Sequence, residues 1–98
     1  MVKHIVMWTF CDDVKADAFD EKMELLNSKF SAMLGVVPDL HAIKFSRTYK
    51  AGNFDAVLEC DFTDKAAEEA YQTNPIHLEV KAIIHQWVDK RASADYEY

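Results

Sequence analysis

The chain has 98 residues, half of them hydrophobic and 12% aromatic, with only two glycines and two prolines, which fits one folded domain and excludes a linker or disordered tail. A formal charge of −6 and a pI near 5.0 disfavour a sequence-independent grip on phosphates, so nucleic acid is not an expected partner. No apolar run approaches the roughly 20 residues that span a bilayer, and the opening MVKHIVMWTF carries a histidine unlike a signal peptide, so a cytoplasmic protein free of membrane is expected.

Val2 to Phe10 alternates with period two, placing Val2, His4, Val6, Trp8 and Phe10 on one face of a strand and Lys3, Ile5, Met7 and Thr9 on the other. Cys11 follows; it and Cys60 fit no CxxC or metal-ligand spacing and read as reduced thiols. From about Val14 to Leu34, Phe19, Met23, Leu26, Phe30, Met33 and Leu34 recur at helical spacing, predicting one long amphipathic helix that ends near Gly35. Leu40 to Tyr49 reads as a second strand, KAGN as a turn, and Phe54 to Phe62 as a third strand. Thr63 or Asp64 caps a short helix to about Gln72, and Pro75 starts another that runs to about Trp87. The closing DKRASADYEY is a fourth strand.

This order predicts an α+β fold, a ferredoxin-like βαββαβ sandwich with a four-stranded antiparallel sheet and helices on one face. The opposite face then carries Ile5, Met7, Val57, Ala92 and Ala94 beside Lys3 and Glu59. Such a partly apolar face is best hidden against a second copy, so a homodimer built sheet to sheet is expected.

Four stretches carry a family likeness: VKHIVMWTF at the start, VVP after the first helix, EAYQTNPIH before the last helix, and ADYEY at the end. Together, over residues 1–98, they resemble the stress-responsive A/B barrel domain of the dimeric α/β-barrel superfamily. The resemblance implies one domain, two sheets closing into an α/β barrel in the dimer, and a pocket between helices and sheet. Cyclases of this family close a linear polyketide by aldol condensation with a tyrosine and a histidine, which by motif fall on Tyr71 and His77. The resemblance also places a pocket-facing histidine at His4. Ala56 stands where the cyclases carry a histidine, and Arg91 and Ser93 stand where they carry aliphatic pocket residues, which implies a different ligand.

Asn74 as N-cap and Pro75 at the first helical position put His77 at about the third, where the positive end of the helix dipole disfavours imidazolium. A neutral histidine accepts a proton, as enolisation beside a carbonyl requires, and the Tyr71 hydroxyl reaches the same space to bond an enolate oxygen. His4 orients His77 or packs as a core histidine. Val6, Trp8, Leu26, Phe30 and Leu58 serve as core and as pocket lining, with Arg91 and Ser93 completing the ligand-binding set. His41 and His85 have no evident partner and read as surface or rim. His77, Lys81 and His85 share one side of the last helix, but a lysine between two histidines argues against a metal, and no cofactor is expected.

Three functions compete. The first is a homodimer binding a small, largely apolar carbonyl compound, with cofactor-free His77/Tyr71 chemistry of the cyclase or isomerase type. The second is a non-catalytic stress-response or ligand-binding dimer. The third is a cofactor-independent monooxygenase-like or haem-binding member of the same superfamily.

Overall fold

A computed structural model describes all 98 residues, Met1 to Tyr98. The elements are β1 (Val2–Phe10), α1 (Asp12–Lys15), α2 (Phe19–Ser31), β2 (Leu40–Arg47), β3 (Ala56–Phe62), α3 (Lys65–Gln72), α4 (Pro75–Trp87) and β4 (Val88–Glu97). The strands form one antiparallel sheet in the order β2-β3-β1-β4, the topology of the ferredoxin-like α+β sandwich expected from the sequence.

The alternation in β1 decides the two faces. Val2, His4, Val6, Trp8 and Phe10 are buried, while the residues between them are half-buried. Their neighbours follow in register: Val6 faces Leu58 of β3 on one side and Ser93 of β4 on the other, and His4 faces Cys60 and Asp95. Ala56, Leu58, Cys60 and Phe62 of β3 join them in one core of 19 buried residues, which α2, α3 and α4 close with Met23, Leu26, Phe30, Ala67, Tyr71, Val80 and Ile84. Fully burying each Val, Leu, Ile, Met or Phe among them stabilises by about 1.5–3 kcal/mol.

The other face has no helix. On it Ile5 lies opposite Ala94, and Met7 lies between Val57 and Ala92, with a Lys3–Asp61 ion pair of 2.8 Å alongside.

The single helix expected over Val14 to Leu34 is instead two. Val14 and Phe19 are five apart, which no α-helix places on one face. Ala18 at φ 51°, ψ 43° turns the chain between α1 and α2, so Val14 is buried while Phe19 packs edge-on against Phe10 at 5.8 Å. At the far end α2 stops at Ser31, and the N–H groups of Val36 and Val37 both bond the Met33 carbonyl. This turn buries Met33 and Val37 and leaves Leu34, expected on the apolar stripe, half exposed at 50%.

The hairpin strands are shorter than expected. β2 ends at Arg47 rather than Tyr49, and β3 begins at Ala56 rather than Phe54. Just before β3 the Asp55 backbone still bonds the Trp8 carbonyl and the Thr48 N–H, and its carboxylate accepts from the Phe10 N–H at 2.9 Å and from Lys15 Nζ at 3.0 Å. Both cysteines are free, Cys60 fully buried and Cys11 partly so. Burial pushes the Cys60 thiol up to about 12.

Candidate functional site

The site begins at the helix break. Asp64 caps α3 by accepting from the Ala67 N–H at 2.9 Å, and Tyr71 sits in that helix's last turn, 1% exposed. Asn74 Oδ1 accepts from the Ile76 N–H at 3.0 Å, which starts α4 with Pro75 first and His77 third. The two aromatic rings meet across the break with centroids 4.1 Å apart and planes inclined by 31°.

His77 Nδ1 lies 3.4 Å from the Gln72 carbonyl oxygen, and because a carbonyl only accepts, this nitrogen carries the proton. Nε2 is left as the basic nitrogen. Burial holds the His77 pKa below its usual 6.5; the Gln72 carbonyl works against that, and the positive charge of Lys81 reinforces it. His77 is therefore an uncharged base at neutral pH.

Tyr71 complements it. Its hydroxyl is buried and has no hydrogen-bond partner in the protein. Burial drives its pKa far up, so the group stays a phenol and a donor. The ring is held by Phe62 at 5.1 Å and by the edge of His4 at 6.0 Å. A buried hydroxyl without a partner costs about 1–3 kcal/mol, a cost an incoming acceptor removes.

Behind these rings runs a polar chain. His4, 4% exposed, donates from Nδ1 to Asp95 Oδ1 at 2.5 Å, with Glu68 Oε1 at 3.7 Å. Glu68 accepts in turn from Gln72 Nε2 at 2.7 Å, and Gln72 is the residue whose carbonyl faces His77. The donor atoms of His4, Glu68 and Asp95 fall within 4.8 Å of one another, the one such cluster in the chain. Hydrogen bonding accounts for its geometry. Asp95 falls in the ADYEY stretch, but neither carboxylate was given a role from the sequence; the β1–β4 register, which sets Asp95 opposite His4, is the signal that identifies Asp95.

His4, Tyr71, Gln72 and His77 line a cavity of about 340 Å³, near the lower end of the roughly 300–1,000 Å³ of small-molecule sites. The structure brings His4, Val6, Trp8, Phe30, Leu58, Tyr71, His77 and Arg91 to its wall. It leaves two expected residues out. Leu26 is wholly buried in the core, and Ser93 touches only the site's edge, its hydroxyl 3.5 Å from Arg91 Nη1. Trp8 and Phe30 stack at 6.0 Å along one side without closing the space. Gln72, Lys81, Ile84, His85 and Val88 also line it. The spacing of His77, Lys81 and His85 along one side of α4 was the available signal for two of these. His41, read as a surface residue, bonds Thr63 Oγ1 at 2.6 Å, away from the cavity.

The fold recurs in proteins of known structure. A dimeric protein of ferredoxin-like fold and unknown function from Bacteroides fragilis superposes with a TM-score of 0.90 at 24% identity, covering 99% of this chain and 95% of its own. A dimeric ferredoxin-like protein of unknown function from Thermobifida fusca gives 0.84 at 22% identity, covering 99% and 90%. The hydroxynitrile lyase of Passiflora edulis gives 0.79 at 16% identity, covering 97% and 90%. At these identities the likeness speaks for the fold. No curated protein matches the chain. In sequence, the stress responsive A/B barrel domain matches residues 2–98, from the first residue of β1 through β4 to the last tyrosine. On that match and this fold, the chain belongs to the stress-responsive A/B barrel domain family.

Proposed function

We propose that the protein is a homodimer that binds a small, largely apolar carbonyl compound between α4 and the sheet and performs cofactor-free acid-base chemistry on it, of the cyclase, isomerase or lyase type. The observation that carries this reading is the buried Tyr71 hydroxyl with no partner, set beside an uncharged His77 on the wall of one cavity. His77 Nε2 takes a proton from the carbon next to the carbonyl. The Tyr71 phenol donates to the oxygen as it gains negative charge, and the apolar walls of Trp8, Phe30 and Leu58 keep that hydrogen bond out of water. His4, held by Asp95, fixes the edge of the tyrosine ring. The scaffold accommodates a lyase in the Passiflora edulis enzyme, which supports chemistry of this type without assigning a substrate.

The test is deuterium exchange at the α-carbon of a simple aryl ketone in heavy water, followed by NMR. Exchange above the buffer rate is expected. Replacing the base, His77→Ala, lowers it about 10²–10⁴-fold, and Tyr71→Phe about 10²–10³-fold. Binding of the ketone with no exchange above buffer would leave the non-catalytic ligand-binding dimer as the better reading.

The dimer is supported by the helix-free sheet face and by the dimeric relatives. Light scattering on the purified protein is expected to give twice the 11.3 kDa chain mass. Met7→Asp, which sets a charge between Val57 and Ala92, is expected to shift it to the monomer mass.

A further inference from the structure

We infer that the ligand carries an anionic group, a carboxylate or its equivalent, at the end opposite its carbonyl, and that Lys81 and Arg91 receive it at the cavity mouth. The inference rests on the reading of the cavity as a ligand site and names the chemical class that site takes.

The charge distribution supports this. The chain has 17 acidic side chains against 11 lysines and arginines, yet no aspartate or glutamate lines the cavity. Lys81 and Arg91 do, and both are exposed. Most of the chain's cations are already engaged: Lys3, Lys15, Lys22, Lys29, Arg47 and Lys65 each pair with a carboxylate. Lys44, Lys50, Lys81, Lys90 and Arg91 pair with none, and of these five Lys81 and Arg91 are the two that line the cavity; the one hydrogen bond of the Arg91 guanidinium within the protein is to the Ser93 hydroxyl. Two unneutralised cations at the opening of a low-dielectric cleft form a local positive field on an otherwise negative protein, which draws anions and orients them. Arginine adds a planar fork matched to a carboxylate, and lysine a point charge.

The fold makes the arrangement directional. Lys81 lies one helical turn beyond His77 on α4, and Arg91 lies opposite Trp8 across the β1–β4 ladder. The exposed cations therefore stand at the rim, while the unpartnered Tyr71 hydroxyl is buried within. A ligand with an apolar body between a carbonyl and an acid group satisfies both ends at once.

The experiment titrates the protein with 3-benzoylpropionate and with 3-benzoylpropionamide, which share the aryl ketone and differ in charge, following the Trp8 indole N–H by NMR. At low salt the carboxylate is expected to bind roughly tenfold more tightly, the advantage shrinking at high salt. In the double variant Lys81→Met/Arg91→Met the preference falls to about twofold or less, and in Lys81→Arg/Arg91→Lys, which keeps both charges, most of it returns. Backbone amide spectra confirm that the variants are folded, as their exposed positions lead one to expect. Equal affinity for acid and amide, or tighter binding of the amide, overturns the anionic group while leaving the cavity as a ligand site. Failure of both compounds to shift Trp8 at millimolar concentration overturns both.

Discussion

The two helical crossovers cover the same sheet in opposite ways. The first, through α2, is packed behind the cavity wall: Leu26 and Met33 are wholly buried, and Phe30, which stacks on Phe45 at 5.6 Å and on Trp8 at 6.0 Å, is the α2 residue that reaches the cavity. The second is broken at Asn74–Pro75 into α3 and α4, and there the structure holds a cavity and a hydroxyl with no partner. A continuous helix over this stretch would carry its apolar stripe without interruption. The break instead sets His77 at a helix start with its ring against Tyr71 at the end of the preceding helix, both on the cavity wall. The difference teaches that this small domain buries apolar side chains in both crossovers and places its polar, imperfectly satisfied groups in only one of them.

The sharpest way to break the contrast is to make the packed half resemble the open one. Leu26→Ala, in the packed crossover and off the cavity wall, is expected to cost about 2–5 kcal/mol through the void it leaves, read as a lower midpoint in urea unfolding. Removing the cap of the second crossover, Asn74→Ala, is expected to cost only about 1 kcal/mol, with loss of ketone exchange well beyond what that loss of stability accounts for, since His77 moves with the helix start. Tyr71→Phe is expected to run in the other direction. It deletes an unsatisfied buried hydroxyl and keeps the ring, so unfolding should show stability unchanged or raised by up to about 1 kcal/mol, although exchange activity falls. Loss of stability in this variant would mean that the hydroxyl has a partner in the folded protein.

The smallest effect is in pH. The His77 pKa is lower in the folded than in the unfolded chain, where it titrates near 6.5. As pH falls through the window between those two values, the unfolded state takes up the proton first, so stability declines and then levels off below the folded value. The difference in unfolding free energy between wild type and His77→Gln is expected to change across that window and be flat above about pH 7.5. The acid limb of any exchange activity should likewise lie below pH 6.5.

How much of this was legible varied with the kind of signal. Strand alternation reads directly, because period two leaves one assignment of faces, and β1 and β3 follow it residue for residue. The N-cap at Asn74 and the position of His77 were equally legible, and the α3 cap was narrowed to Thr63 or Asp64, since such caps and Pro at the first turn have a local mechanism. The division between α1 and α2 was not: it depends on Ala18 taking a left-handed conformation, which alanine does not signal, and only the packing of both Val14 and Phe19 against the core rationalises it. Within the site, period alone could not tell Leu26 from Phe30, because core and cavity wall share one stripe of α2. The roles of Asp95 and Glu68 were invisible for a different reason, as their contact with His4 joins residues 91 and 64 positions apart.

The alternation of β1 has a further consequence for sequence change. This strand contributes His4, Val6 and Trp8 to the cavity and Ile5 and Met7 to the open face, and it pairs with β3 and β4 along nearly its whole length. Inserting or deleting a single residue near its middle would carry every side chain beyond that point to the wrong face. The Tyr49–Asn53 turn makes no such demand, since its residues are exposed and outside the ladder. A library of single-residue insertions should thus be depleted across Val2–Phe10 and retained across Tyr49–Asn53, so this domain can change length at one end of its sheet and almost nowhere along its central strand.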